Sequence, residues 1–310
     1  MSGYICGVGG ANVDFSVRSF APVILRDSNP GESRISAGGV TRNVIENLAR
    51  LGERCQLITA FGDDLFGRYL QDECAKAGIG TEHSLLCPGK ATTCYVAMND
   101  EKGDMLLGMS DMRLLHGLTP AFLETKLDVM GHAAAVVLDP NLPDEALAYL
   151  CSGVLAGVRL YADPVSTTYA RKLAPLLSAL HCVKPNRLEL AAITGIETDS
   201  DEGLEQAADF VLAQGCEEVA VSLGEKGCYW ADQRGNRFYA TQNSVAQMAN
   251  ATGAGDAFLA GLIHAEVLGF SARNCADMAL SAGRLACMSE ETVSRTMSHT
   301  ALMDTMEEYS

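Results

Sequence analysis

Positive charge is scarce in this chain. Lys and Arg together number 23 against 39 Asp and Glu, a formal charge of −16 at pH 7. Nucleic-acid backbones are held by clustered cations, so a role in wrapping DNA or RNA is excluded. Any polyanion bound here must meet local positive potential from backbone N–H groups or a metal ion. Long apolar runs are missing as well: none approaches the roughly 18–20 residues of a membrane span. The start, Met1-Ser2-Gly3-Tyr4-Ile5, has neither the basic opening nor the apolar stretch of a signal peptide. These absences predict a cytoplasmic protein without membrane contact.

Motifs for metals and phosphates are missing too. The 11 cysteines run from Cys6 to Cys287 without a C-x-x-C pair, which argues against a zinc ribbon or a thioredoxin site and for reduced, buried thiols. The 6 histidines are isolated and none has H-E-x-x-H spacing, so no metal is assigned to them. No G-x-x-x-x-G-K-[ST] exists, and Gly89-Lys90-Ala91 lacks both its hydroxyl and its spacing. A nucleotide bound here is bound without a P-loop.

What is present is an ordinary globular profile, 48% hydrophobic and 20% charged. Its 310 residues fit one large α/β domain with a small appendage, or two modest domains. Short apolar runs alternate with amphipathic stretches, the pattern of a parallel sheet flanked by helices. Tyr4–Val8, Cys55–Phe61, Ala133–Leu138, Arg159–Ala162 and Glu218–Ser222 read as strands. Val40–Leu51 and Leu65–Ala77 read as helices, stopped by Gly52 and Gly78. Two stretches break the rhythm, Phe15–Ser36 and Ala91–Met109, the second with a hairpin candidate at Asn99–Gly103. They can pair as a small extra sheet, exposed unless it covers a site or meets another subunit.

Two glycine-rich places compete for a ligand. Gly7-Val8-Gly9-Gly10-Ala11-Asn12 half matches a dinucleotide fingerprint, but Asn12 stands where the third glycine belongs and Val13-Asp14-Phe15 does not open a helix. It is either a plain turn, or it aims Asn12 and Asp14 at a polar ligand. Thr252-Gly253-Ala254-Gly255-Asp256 precedes the small-residue helical run Ala257–Ile263. Unpaired N–H groups at such a start, with the helix dipole, make an anion hole that needs no Lys or Arg. A lone Asp in a first turn is commonly just a helix-favouring charge. Behind Gly-Ala-Gly, where bulk would block a ligand, Asp256 reads instead as a base for phosphoryl transfer.

Other patches each carry two readings. Gly38-Gly39 with Asn43 offers ligand access and a hydroxyl partner, or a simple helix start. Asn186 and Glu189, three apart, suit hydrated Mg²⁺ or a capping box. Ser222, Gly224 and Gly227 follow a strand and lie along a nucleotide or turn the chain.

Taken in order, Asn12-x-Asp14, Gly38-Gly39 with Asn43, Asn186-x-x-Glu189, Ser222-x-Gly224-x-x-Gly227 and Gly253-Ala254-Gly255-Asp256 resemble the ribokinase-like (PfkB) carbohydrate kinases over nearly the whole chain. The resemblance implies one domain over residues 1–310: a doubly wound, mostly parallel α/β sheet flanked by helices, with a small β lid from about 15–36 and 91–112. It implies ATP γ-phosphoryl transfer to a primary hydroxyl with Mg²⁺. Asp256 would be the base, and the N–H groups of Gly253, Ala254 and Gly255 the anion hole. Asn12, Asp14, Gly38, Gly39 and Asn43 would hold the substrate. Asn186 and Glu189 would organise Mg²⁺ through water, and Ser222, Gly224 and Gly227 would line the nucleotide. A K⁺ site would involve Asn250 and Thr252, but many members carry Asp where Asn250 stands, and the lost charge weakens the case for potassium. Paired lids would make a homodimer.

Within the family, Asp27-Ser28-Asn29-Pro30-Gly31, Gly38-Gly39-Val40-x-Arg42-Asn43, Asp111-Met112 and Asn250-x-Thr252-Gly253 resemble the bacterial pseudouridine kinases. That subgroup implies lid residues Asn29 and Asp111 on the substrate, reading a uracil edge beside a ribose. The alternatives are a ribokinase, fructokinase or keto-deoxy-sugar-acid kinase, and a non-catalytic sugar- or nucleoside-binding regulator.

Overall fold

The computed structural model describes residues 3–241 and 252–309. In chain order the strands are β1 Ile5–Val8, β2 Asn12–Ser19, β3 Gly31–Gly38, β4 Cys55–Ile58, β5 Ala60–Gly62, β6 Ile79–Gly80, β7 Leu85–Cys87, β8 Cys94–Asn99, β9 Met105–Asp111, β10 Ala135–Leu138, β11 Arg159–Ala162, β12 Cys182–Val183, β13 Glu218–Ser222, β14 Cys228–Asp232 and β15 Arg237–Ala240.

The main sheet has the order β15-β14-β13-β12-β11-β10-β1-β4-β6. It is parallel except for β14, which runs against β13 and β15. Its central strands are apolar on both faces because helices cover both. Ile5, Ala135, Val137 and Tyr161 pack under the helices Val40–Arg50, Ala254–Val267 and Ala272–Cys287. Cys6, Val8, Val136 and Leu138 face the opposite layer, which includes Asp144–Tyr149, Arg187–Thr194 and Asp201–Ala213. This is the ribokinase-like α/β fold expected above. All 11 cysteines are free. Among the described residues no helix is long and apolar enough to cross a membrane.

One expected strand divides. Cys55–Phe61 splits at Thr59, whose N–H donates to Ser84 Oγ at 3.1 Å and whose carbonyl accepts from Leu85 N–H at 2.8 Å. The chain therefore leaves β1, and β5 pairs with β7 in a separate two-stranded sheet.

The four-stranded lid sheet runs β3-β2-β8-β9, with β2 and β8 parallel. It begins earlier than expected, since Asn12 and Asp14 already belong to β2, and β3 extends to Gly38. Register sorts its faces, because side chains alternate along a strand. Phe15 pairs with Ile35 and Val96, Val96 with Met109, Val17 with Met98, and Met98 with Leu107. These form an apolar face, anchored at its base where Phe15 meets Phe66 edge-on at 5.3 Å. On the next rung Asp14 pairs with Ser36 and Tyr95, and Tyr95 with Ser110, giving a polar opposite face.

Candidate active site

Open parallel sheets bind ligands at the carboxyl ends of their strands. Three adjacent strands deliver charge there: Asp139 follows β10, Asp163 follows β11 and Lys184 follows β12. Asp139 is a structural clamp. Its Oδ2 accepts from Gly10 N–H at 2.8 Å and from Thr41 Oγ1 at 2.7 Å, and its Oδ1 from Asn141 N–H at 2.9 Å. It ties the turn after β1 to the start of the Val40–Arg50 helix.

Asp256 enters from the side, in the first turn of Ala254–Val267. Gly253 caps that helix at φ +83°, a left-handed conformation that an L side chain adopts only under strain. Such a start leaves first-turn N–H groups unpaired within the helix. Asp256 is buried, and its Oδ2 accepts from Asn43 Nδ2 at 2.8 Å. Burial pushes its pKa up to about 8. The negative charge of Asp163 adds to that shift, while the Asn43 hydrogen bond and the Lys184 ammonium oppose it.

Lys184 was not anticipated: a cation stands beside the helix start that was expected to form an anion hole without one. The Lys184 Nζ lies 3.0 Å from Asp163 Oδ2, both side chains are buried, and a Cβ on Gly255 would come within 3.0 Å of the same Nζ. Burial works against the ammonium, but Asp163, Glu189 and Asp256 outweigh it and hold its pKa above the ordinary value. Glu189 is itself pushed up by burial and by Asp163.

The substrate candidates Asn12, Asp14, Gly38, Gly39 and Asn43 form one connected group. Asn12 Nδ2 donates to Asp14 Oδ1. A Cβ on Gly38 would fall on the Asp14 carboxylate. Asn43 N–H closes the first helical turn on the Gly39 carbonyl at 2.8 Å. Burial raises Asp14 to about 6, against the pull of Asn12 and Arg42. Arg42 entered the sequence comparison only as part of the Gly38-Gly39-Val40-x-Arg42-Asn43 motif, with no contact assigned to it. It is buried, donates through Nη1 to Asn43 Oδ1 at 2.8 Å and to the Ala37 carbonyl at 2.9 Å, and pairs through Nη2 with Glu46. Arg42 therefore fixes which end of the Asn43 amide faces Asp256. The signal for it was present in Arg42-Asn43-x-x-Glu46, a cation and a carboxylate four apart on a helix that the core surrounds.

Asn186 and Glu189 do form the capping box. Asn186 Oδ1 accepts from Glu189 N–H and Glu189 Oε2 from Asn186 N–H, both at 2.9 Å. The box stands two residues beyond Lys184, so it also borders the charged cluster. Ser222 closes β13 and bridges to Asn186, and the turn after it holds Gly224 and Gly227. The lid candidates lie apart. Asn29 spends its amide on its own loop, accepting from Ile24 N–H at 2.8 Å and donating to the Ile24 carbonyl at 2.9 Å. The Asp111 carboxylate is held by Arg113 at 2.8 and 2.5 Å, which lowers its pKa to about 2. Asn250 lies outside the described residues, and Thr252 is exposed just ahead of Gly253.

A buried carboxylate, a buried ammonium and a glycine-lined helix start gather at the mouth of a doubly wound sheet, an arrangement that suits phosphoryl transfer. The profile of the pfkB family carbohydrate kinases matches residues 4–299. The chain is 33% identical over 285 residues to the pseudouridine kinase of Escherichia coli (strain K12), covering 90% of both proteins. It is 31% identical over 297 residues to the uncharacterized sugar kinase YeiI of the same organism, covering 95% of this chain and 81% of that one. The structure of Arabidopsis thaliana ribokinase complexed with ribose and ATP superposes with a TM-score of 0.86 at 22% identity, covering 99% of each chain. This chain belongs to the PfkB family and is a sugar or nucleoside kinase.

Proposed function

We propose that this kinase transfers the γ-phosphoryl group of ATP to the 5′-hydroxyl of pseudouridine, giving pseudouridine 5′-phosphate. The observation that carries the chemistry is the Asn43–Asp256 hydrogen bond at the start of the Ala254–Val267 helix. An alcohol is a weak nucleophile, and its proton must leave as the new O–P bond forms. Asp256 takes that proton, and general-base help of this kind supplies roughly 10²–10⁴-fold. The first-turn N–H groups of Gly253, Ala254 and Gly255 face the phosphoryl oxygens. Lys184 adds a fixed positive charge beside them, where preorganised charge is most effective. Asn12 and Asp14 hold sugar hydroxyls, while Ser222, Gly224 and Gly227 border the nucleotide.

The residues present suit Mg²⁺. Glu189 and Asp163 flank Lys184 as hard oxygen donors, and the Asn186 carbonyl oxygen stands beside them. Bound there through water, the ion supplies charge neutralisation on the phosphates. Asn250 keeps a side-chain oxygen but lacks the charge of the Asp that many family members carry there, so we propose no potassium dependence.

Two observations support pseudouridine as the acceptor. One is the similarity to the E. coli enzyme over 90% of both chains. The other is the polar lid face, where Tyr95 and Ser36 share a rung with Asp14 and so stand beside any sugar that Asp14 holds. The opposite face, with Ile35, Met98, Leu107 and Met109 exposed, supports a homodimer in which two lids cover each other. The purified chain with MgATP and a panel of pseudouridine, uridine, ribose and fructose tests the reading, with product identified by phosphorus NMR. Equal or better turnover of ribose overturns the pseudouridine assignment and leaves the kinase chemistry standing.

A further inference from the structure

The amino-terminal edge of the main sheet, opposite the active site, carries a second polar centre. His181 immediately precedes β12, Glu218 opens β13, and Glu266 sits at the far end of the helix that carries Asp256 in its first turn. Ten residues of helix separate Asp256 from Glu266, about 15 Å. The side chains of His181, Glu218 and Glu266 are 6%, 6% and 8% exposed. One nitrogen of His181 and one oxygen from each carboxylate all lie within 4.8 Å of one another. His181 Nε2 is 3.0 Å from Glu266 Oε2 and 3.8 Å from Glu218 Oε2.

The hydrogen bonds around this group are incomplete. Glu266 Oε2 accepts from Tyr161, meets His181 Nε2 at 3.0 Å and is approached by Arg159 Nη1 at 3.4 Å, but among the described residues Glu266 Oε1 and Glu218 Oε2 are buried with no donor beyond the facing carboxylate. Two buried carboxylates facing each other with empty oxygens need a cation between them, either a proton or a metal. The imidazole is set up for the metal. His181 Nδ1 meets Glu217 Oε2 at 2.9 Å and Nε2 meets Glu266 Oε2 at 3.0 Å; with the ring proton on Nδ1 toward Glu217, Nε2 is the nitrogen that a cation between the carboxylates would take. A carboxylate behind a histidine ligand is the usual support of a metal-bound imidazole.

We propose that His181, Glu218 and Glu266 bind one divalent transition-metal ion of the Zn²⁺ class, with Glu217 orienting the imidazole. One imidazole and two carboxylates suit such an ion, and a fourth position is left for water. A cavity of about 480 Å³, lined among others by Arg159, Ser178, His181 and Glu217, gives access from solvent. Arg159 borders that cavity with its side chain 37% exposed, and it touches only the oxygen that already has donors. The ion ties the tail of the Asp256 helix to β12 and β13, whose other ends lead to Lys184 and Ser222. Its role is to hold the two sides of the active site in register from behind.

The test uses the untagged full chain, stripped with chelator and dialysed against Zn²⁺ in excess MgCl₂, with bound zinc counted by mass spectrometry. One zinc per chain is expected, also in Asp256→Asn, which separates this site from the catalytic one. Glu217 is 63% exposed, so Glu217→Gln keeps the fold, and it should bind zinc about 10-fold more weakly. His181→Gln and Glu218→Gln should lose the ion. X-ray absorption of the zinc-loaded wild type reads the ligands directly, whether or not those two variants fold. One nitrogen and otherwise oxygen neighbours support the site. Sulfur neighbours, zinc binding unchanged in Glu217→Gln, or no bound zinc overturns it.

Discussion

The Asn43 side-chain amide donates to Asp256 Oδ2 at 2.8 Å, joining positions 213 residues apart in the chain. Arg42 locks the amide from its other end at 2.8 Å. The hydrogen bond favours the charged carboxylate, against the burial that pushes Asp256 to about 8. Asn43→Ala removes that support. The acid limb of the kcat profile should move to higher pH, and kcat at pH 7 should fall about 10–100-fold, the worth of a hydrogen bond to a charged group. Activity should recover as pH rises through the new limb. A fall in kcat with an unmoved limb would mean that Asn43 positions substrate without tuning the base.

Asp256→Asn separates catalysis from stability. Turnover should fall roughly 10²–10⁴-fold while nucleotide binding survives. The stability change has a definite sign. The folded pKa of about 8 exceeds the usual 3.8, so between those values the native state holds a proton that the unfolded state has lost. Stability therefore declines as pH rises through that window and levels above about 8. The amide variant escapes the decline, so its advantage in Tm over wild type should grow from pH 5 to pH 8.5. A gain of about 1 kcal/mol corresponds to ~2–4 °C in a large domain. Calorimetry at the two pH values measures it, and an equal difference at both would return Asp256 to an ordinary carboxylate.

Gly253 and Gly255 should respond differently to alanine. At Gly253 the backbone is left-handed and a Cβ would strike the Thr292 carbonyl, so Gly253→Ala should cost at least about 1–2 kcal/mol of stability. At Gly255, among the described residues, a Cβ would meet Lys184 Nζ at 3.0 Å, the end of a side chain that can shift. Gly255→Ala should keep its Tm and lose about 10–100-fold in kcat/KM for ATP, because the displaced ammonium no longer meets the phosphates. Thermal scans alongside ATP kinetics distinguish the two.

Much of this was legible in the residues. Strand runs such as Arg159–Ala162 and Glu218–Ser222 are continuous and apolar enough to mark a two-sided buried sheet, and they appear with those bounds. The Gly-Ala-Gly-Asp stretch announced a helix start because glycine and a first-turn carboxylate have few other uses together. Interactions between distant elements were hidden. Nothing in the residues around Lys184 marks it, and only the adjacency of β11 and β12 sets it on Asp163 and beside Gly255. His181 looked isolated because its partners come from β13 and from the end of a later helix. Asn29 and Asp111 showed the opposite problem: their polar groups were legible, but not the local hydrogen bonds that occupy them.

The apolar lid face yields the last expectation. Leu107 and Met109 lie on β9, the edge strand, and are 52% and 65% exposed, with Met98 and Ile35 beside them across the sheet. Four large apolar side chains on one face of a thin sheet are a liability unless a partner covers them. Phe66 meets Phe15 at the base of this face. Covering Leu107 and Met109 in a dimer stabilises it by about 1.5–3 kcal/mol each if burial is complete. The double variant Leu107→Lys, Met109→Lys should therefore weaken self-association by at least ~100-fold, seen by sedimentation as a shift from dimer to monomer. Both side chains point away from the face that carries Asp14, so ATP binding and the fold should be unchanged. The KM for the sugar or nucleoside should rise, because an unpaired lid closes less completely over its substrate. A wild-type chain that sediments as a monomer at micromolar concentration would remove the lid-to-lid dimer and leave this face without its expected cover.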